Sequence, residues 1–376
     1  MLTDETRHRD FPALADRTYL NTAAEGIPPR AVVDALAQYA RDKQLGMDGR
    51  RLHEAQRHRA QAEVAKAFGL SADEIGFCSC SSEAFNLAAL ALRLKERDEV
   101  VINDLDFPAG ATPWLQSNCA ATVKVWRSRE GALCVDDLIS LLSPRTRLVS
   151  TSLVSFYNGY RIPLQETVNV IRKHSPALVA VDVTQALGRV TMDLSAVDLI
   201  VSSTHKWLMA SHGGGLVGVP KSRAAEWTVP AGGWFNLENA FDGDRFERVV
   251  TKPGAASFAT GMPNYPAIYA ITAAAAYVNE IGVSAIEAQA DPLVRACLEE
   301  LKRMPIELLT PDSPEALAGI VAFRHPRVDE IHQRLLDQKI HVMCHAGRLR
   351  IALHGYNTGA DVDRLLSTMR EVLSHG

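Results

Sequence analysis

Two stretches decide how this chain is built: Ala177-Leu178-Val179-Ala180-Val181-Asp182, and Val197-Asp198-Leu199-Ile200-Val201-Ser202-Ser203-Thr204-His205-Lys206-Trp207. Each opens on a short, almost uninterrupted apolar run, Ala177 to Val181 and Val197 to Val201. Such runs read as buried strands of a parallel sheet. Asp182 closes the first run, and Lys206 follows the second, 24 residues further on. One short connection separates the runs, so the two strands are expected to be neighbours. The carboxylate and the amine then project from the same carboxyl end of the sheet, where open α/β sheets bind ligands.

A carboxylate and an amine presented together suit pyridoxal 5′-phosphate. The amine forms a Schiff base with the aldehyde, and the aspartate keeps the pyridine nitrogen protonated so that the ring accepts electrons. The plain alternative is a surface lysine beside a strand-end aspartate. The surroundings favour the first reading. Gln185, three residues past Asp182, is placed to donate to the phenolate oxygen, and Ser203 and His205 are placed to reach the phosphate. Upstream, Ser79-Cys80-Ser81-Ser82-Glu83 follows the short strand Ile75 to Cys78 and opens an apolar helix, Ala84 to Leu94. A helix start with free N–H groups and two hydroxyls, Ser81 and Ser82, is an anion site. An ordinary helix cap would use the same residues.

Apolar β-rich runs recur at 74–78, 99–103, 122–126, 147–153, 177–183, 197–201 and 214–219, mostly separated by helical patterns. This spacing predicts a mainly parallel, doubly wound sheet of seven strands between helices. Pro263 and Pro266 precede an alanine-rich helix, Ala267 to Ile281, that leads out of the large domain. Beyond it the pattern predicts helices at 284–303, 328–338 and 360–374 and strands at 319–324, 340–343 and 348–353, a small α+β domain. The expected division is an N-terminal arm, 1–29, packing on the small domain, a large domain, 30–282, and the small domain, 283–376. With 376 residues and 47% hydrophobic content the chain can bury two such cores. A net charge of −4 gives no reason to expect nucleic acid or an anionic membrane as partner. The segment Met1 to Arg7 is polar, and no apolar run is long enough to span a bilayer. Six scattered cysteines without a CxxC pair fit a reduced, cytoplasmic protein.

Two other constellations fail on spacing. His53-Glu54 with His58 resembles a zinc-protease helix, but histidines five apart lie roughly 140° out of line, so no metal is expected and the stretch reads as a solvated helix. Gly213-Gly214-Gly215 precedes a strand rather than opening a helix, so it reads as a tightly packed turn behind the lysine, not a phosphate loop.

Five motifs in order carry a family resemblance: Tyr19-Leu20-Asn21-Thr22-Ala23-Ala24-Glu25-Gly26, the Ser82 loop, Asp106-Phe107-Pro108 with Pro113-Trp114, the Asp182/Gln185 strand with His205-Lys206, and Arg350-Ile351-Ala352-Leu353 before Tyr356-Asn357-Thr358. Over nearly its whole length the sequence resembles the class V aminotransferase branch of fold-type I pyridoxal-phosphate enzymes. That branch includes cysteine desulfurases, selenocysteine lyases, isopenicillin-N-epimerase-like proteins and, more distantly, kynureninase. The resemblance implies a homodimer whose Gly261 to Asn264 segment crosses between subunits. It implies Lys206 and Asp182 as catalytic residues, and a cofactor held by Ser81, Ser82, Phe107, Asp182, Gln185, Ser203, His205 and Lys206. The substrate would be bound by Arg350, Asn21 and Ala23.

Departures from the family pattern bear on the reaction. Phe107 stands where desulfurases carry a histidine; a phenyl ring stacks but cannot shuttle a proton, so acid–base work falls to Lys206. Phe156 replaces an asparagine near the phenolate oxygen, with Asn158 two residues on, and Met262 replaces a threonine that a neighbouring subunit lends to the phosphate. Only five residues separate Cys344 from Arg350, leaving no room for the mobile loop of a desulfurase nucleophile, although Cys344 is close enough in sequence to line the same pocket. The expected chemistry is transamination or β-elimination at Cα of a cysteine-like or modified amino acid. Epimerisation is the runner-up, with His345, His354 or Tyr157 as a second acid–base group. Behind these stand desulfuration with a shortened loop and a cofactor-binding module without catalysis.

Overall fold

The computed structural model describes residues 3–374; Met1 and Leu2, the outermost part of the expected arm, lie outside the described residues, as do His375 and Gly376. The strands are β1 (Thr18–Tyr19), β2 (Ile75–Cys78), β3 (Glu99–Asn103), β4 (Thr122–Trp126), β5 (Thr146–Ser152), β6 (Leu178–Asp182), β7 (Leu199–Ser203) and β8 (Gly215–Gly218), followed by β9 (Glu307–Leu308), β10 (Ile320–Arg324), β11 (Ile340–His341), β12 (Met343–His345) and β13 (Arg348–Ala352). Seven of them form one sheet in the order β2-β8-β7-β6-β5-β3-β4. Only β8 runs against the rest, antiparallel to β2 and β7, while the other neighbours pair in parallel. β3, β6 and β7 are buried along their whole length because helices cover both faces. The expected α/β architecture with a mainly parallel seven-stranded sheet is the one observed.

Strand direction decides what meets at one sheet edge. β2, β3, β5, β6 and β7 all point the same way, so the residues following them gather there: the helix start at Ser81, Asp106 and Phe107, Ser152, Asp182, and Lys206. The helix after β2 spans Ser81–Leu92, beginning three residues earlier than its apolar pattern suggests. β7 ends at Ser203, two residues beyond the apolar run, because two serines continue the pairing opposite β8.

The C-terminal part contains a four-stranded antiparallel sheet, β12-β13-β10-β9. The helices Val283–Leu301, Val328–Asp337 and Gly359–Ser374 contribute to its core. The run expected as a single strand at 340–343 is split. Ile340–His341 pairs in parallel with β1, whereas Met343–His345 pairs with β13. The arm before residue 29 touches both bodies rather than one. Phe11 packs against Tyr277 of the helix Tyr265–Ile281 and against Tyr356, and Asn21 bridges to Ala352.

The stretch around His53 corrects the reading of a wholly solvated helix. His53 is buried, stacked on Tyr265, with Nδ1 within 3.0 Å of the Tyr269 hydroxyl. Among the described residues no cluster could hold a metal ion. The glycine turn is as tight as expected: a Cβ on Gly214 would stand 2.5 Å from the Thr204 hydroxyl oxygen, and one on Gly215 would stand 2.6 Å from the Cys80 carbonyl carbon.

Arg189 links the sheet to the C-terminal part. Fully buried, it donates from Nε to the Leu353 carbonyl at 2.9 Å and from Nη2 to Asp291 at 2.8 Å. A guanidinium so placed is tolerable only while its charge is compensated. Asp291→Ala is therefore expected to cost about 3 kcal/mol of stability, read from the urea midpoint. A loss within ~0.5 kcal/mol, the scale of an ordinary surface change, would show that the pair is dispensable.

Candidate active site

The register of β6 against β7 (Ala180 opposite Leu199, Asp182 opposite Val201) brings the ends of both strands to one level. A local clamp holds them there. The Asp182 carboxylate accepts from the Thr184 backbone N–H at 2.7 Å, and the Thr184 hydroxyl accepts from the Ser203 N–H at 2.9 Å. Lys206 leaves β7 three residues later. The N-terminal segment presses on it, with Gly26 N–H donating to the His205 carbonyl at 2.8 Å. A Cβ on Gly26 would lie 2.0 Å from the Lys206 carbonyl oxygen, so no other residue fits without moving this segment.

These ends enclose a cavity of about 270 Å³ lined by Cys80, Ser81, Ser82, Phe107, Ser152, Val154, Phe156, Asp182, Thr184, Gln185, Ser203, His205 and Lys206. All eight residues expected to hold a cofactor are in that wall. A second cavity, about 450 Å³, shares Phe107, Phe156 and Lys206 with the first and reaches Ala23, Tyr157, Met343, His345, Arg348 and Arg350. Lys206 thus stands at the junction, its Nζ 5.0 Å from the centroid of the Phe107 ring. Of the three expected substrate residues, Ala23 and Arg350 line the second cavity. Asn21 lines neither and has a buried Oδ1 without a hydrogen-bond partner.

The electrostatics follow from burial. Loss of water brings the Lys206 amine down to about 8, with Asp182 working in the opposite direction. The Asp182 carboxyl is pushed up by burial, against the pull of the Thr184 hydrogen bonds and Lys206. Asp106 is raised to about 7 by burial and by the Asp182 charge, despite hydrogen bonds from Ser152 and Asn103. Burial, Lys206 and His212 depress His205 to about 4, so the ring stacked on His212 at 4.6 Å is neutral at physiological pH. The helix Ser81–Leu92 has no side-chain cap, which leaves its first N–H groups open toward the cavity, and Ser81 Oγ accepts from Ser203 Oγ at 2.9 Å. An uncapped helix start flanked by two hydroxyls is an anion cradle.

Four sequence expectations change here. Gln185 lines the cavity, but its amide also ties the arm to the sheet: Nε2 donates to the Ala23 carbonyl at 3.1 Å, and Oε1 accepts from Trp207 Nε1 at 2.6 Å. Cys344 does not face the pocket of Arg350. It pairs opposite Leu349 on the other face of the sheet, its Sγ is 3.5 Å from Asp329 Oδ1, and burial with that carboxylate pushes the thiol up. His354 is buried, stacked on Trp207 and Tyr356, and depressed to about 3 by burial, so it offers no proton to the cavity. Asn158 likewise serves the fold, donating to the Gly131 and Leu309 carbonyls. Thr184, Ser152 and Arg348 were missed. A hydroxyl two residues after a strand-end aspartate is the local signal for Thr184; Ser152 and Arg348 carry none.

The aminotransferase class-V family model matches residues 18–365. The chain belongs to that family. It is 28% identical to YcbU, an uncharacterized aminotransferase of Bacillus subtilis, over 93% of this chain and 92% of that protein. It is 26% identical to a probable cysteine desulfurase of Methanothermobacter thermautotrophicus, over 100% and 99% of the two chains. The fold is shared with the apo cysteine desulfurase of Thermococcus onnurineus, with a TM-score of 0.91 at 22% identity over 100% and 99% of the chains. It is also shared with the cystine C–S lyase C-DES bound to its product cysteine persulfide, with a TM-score of 0.86 at 21% identity over 96% and 98%. Class-V aminotransferases are pyridoxal-phosphate enzymes, and this chain is an enzyme of that transferase or lyase type. The residues fit the group: an anion cradle, a buried carboxylate and a buried amine of lowered basicity line one cavity.

Only the neutral amine attacks an aldehyde. Schiff-base formation by apoprotein mixed with pyridoxal phosphate should therefore accelerate as pH rises and level off above about 8. The rate of the visible absorbance change checks this. Lys206→Ala should abolish the change at every pH, and a rate still climbing steeply above pH 10 would point to an ordinary exposed lysine.

Proposed function

We propose that this enzyme acts at Cα of an amino acid by transamination or β-elimination, on a cysteine-like or modified substrate, with Lys206 as its proton carrier. The observation that supports this reading most is that Lys206 stands at the junction of two cavities, one carrying Asp182 and the anion cradle, the other Arg350. When bound, pyridoxal phosphate supplies an aldehyde that links to amines and a ring that withdraws electrons from the adjoining carbon.

The chain's own residues would then divide the work. The helix start at Ser81 and Ser82, with Ser203 and His205, anchors the phosphate. Asp182 would hold the proton on the pyridine nitrogen, and Phe107 would stack on the ring. Arg350, whose Nη1 donates to the Phe156 carbonyl at 2.8 Å, is held in place to take the substrate carboxylate. Lys206, whose amine stands where the two cavities meet, would take the proton from the substrate Cα and return it to an adjacent atom. Phe107, the ring beside Lys206, carries no group that transfers a proton, which favours one-sided proton movement over epimerisation. Persulfide chemistry at Cys344 is disfavoured because the thiol faces away from the cavity.

Assembly as a cytoplasmic homodimer is part of the proposal. Phe241, Phe246, Val249 and Met262 are large apolar side chains exposed on the single chain, as a surface covered by a partner would leave them. Among the described residues no helix is long and apolar enough to cross a membrane.

The reaction is tested by offering amino acids to the holoenzyme and measuring keto acid, ammonia and sulfide in parallel. Keto acid without ammonia marks transamination, and keto acid with ammonia marks elimination; no product from any substrate would sink the proposal. Asp182→Asn should lower kcat by orders of magnitude while cofactor affinity falls much less, since the phosphate contacts are untouched. Near wild-type turnover in that variant would give the pyridine nitrogen a different partner. Arg350→Lys should lower kcat/KM about tenfold or more, because lysine cannot reproduce a bidentate fork.

A further inference from the structure

β13 alternates with period two. Leu349 and Ile351 are fully buried in the C-terminal core, so Arg348 and Arg350 share the opposite face and point into the cavity of about 450 Å³. Each arginine is only 3% exposed, and each has a buried Nε without a hydrogen-bond partner. Among the described residues neither guanidinium is compensated by a carboxylate. The groups that act on Arg348 are Tyr157 and Arg324, and the group that acts on Arg350 is Arg348. Two buried, unpaired cations on one wall are costly and are retained where an anion arrives to pair with them.

One carboxylate does not serve both. Arg350 is fixed by its bond to the Phe156 carbonyl, whereas the Arg348 guanidinium lies over the Tyr157 ring, 4.2 Å from its centroid. Two positions along a strand separate their Cα atoms by about 7 Å. Of the two arginines, Arg350 is the one whose charge bears on the Lys206 amine. The third arginine at this face, Arg324, donates to the Tyr157 hydroxyl at 2.6 Å and pairs with Glu307 at 3.7 Å, so it is already engaged. Among the side chains lining the cavity are Lys206, His345 and the two arginines, and no aspartate or glutamate.

We infer that the substrate is an amino acid bearing a second anionic group, with Arg350 taking the α-carboxylate and Arg348 the distal one. This rests on the reading that an amino acid reacts at Lys206. The distal anion belongs either to a short acidic side chain, as in glutamate, or to the far half of a sulfur-linked double amino acid, as in cystine; both present a carboxylate to Arg348.

The experiment has two arms. In the first, glutarate and valerate, matched in length but differing by one carboxylate, are titrated calorimetrically into wild type, Arg348→Met and Arg348→Lys. Glutarate should bind wild type about tenfold or more tightly than valerate. Arg348→Met should reduce glutarate to the valerate level while leaving valerate unchanged, and Arg348→Lys should restore part of the difference. Equal binding of the two acids, or equal weakening of both by Arg348→Met, overturns the inference. In the second arm the visible band of the holoenzyme is titrated with glutamate, glutamine, cystine and alanine. A preference for glutamate or cystine supports the inference and says which source supplies the distal anion. A band that responds to all four alike overturns the inference alone. A band that responds to none overturns the amino-acid reading and this inference with it.

Discussion

The parallel pairing of β6 with β7 is the constraint on which the rest of the site depends. Their register places Asp182 and the exit toward Lys206 at one level of the sheet, and the Thr184 hydroxyl, accepting from Ser203, keeps the two ends from sliding. A slip of one residue would turn every side chain to the other face. The full burial of both strands makes such a slip prohibitive, so the positions of Asp182 and Lys206 are underwritten by the hydrophobic core.

Burial sets the chemistry as well as the geometry. The same loss of water that brings the Lys206 amine down to about 8 pushes the Asp182 and Asp106 carboxyls up and keeps His205 neutral. Asp182 is the one acidic side chain among the described residues lining the cavity of about 270 Å³. At the other end, the arginines of β13 supply positive charge where no carboxylate lining the cavity answers it. The two ends make an axis running from the helix start at Ser81 to Arg348, with the amine between them.

Trp207 shows how separate parts of the chain are made to converge. Its indole N–H donates to Gln185, whose amide donates in turn to the Ala23 carbonyl, and its ring packs in a small cluster with Ala23, Ile320 and Ala352. Trp207 thus ties the sheet, the N-terminal segment and the C-terminal sheet together. Arg189 repeats the link with charge, through Asp291 and the Leu353 carbonyl.

Much of this was legible in the sequence because it depends on local period. Uninterrupted apolar runs located six of the seven sheet strands to within a residue or so at each end. They also placed Asp182, Lys206 and Ser81 at strand ends, where their chemistry has meaning. Local period could not say which distant segments would meet. The split of 340–343 between two sheets, the turning of Cys344 toward the core side of its sheet and the structural burial of His53, His354 and Asn158 all depend on partners elsewhere in the chain. Arg348 is the clearest case. In the sequence it is one of 40 basic residues. Only the pairing of β13 between β12 and β10, with Leu349 and Ile351 turned into the core, puts its charge in a cavity beside Arg350. The sequence by itself determined the sheet, the meeting of Asp182 and Lys206 at its edge and the class of cofactor, because these rest on spacing along the chain. The tertiary structure decided which charges line the cavity, because that follows from long-range packing and from which side of a strand is left outside the core.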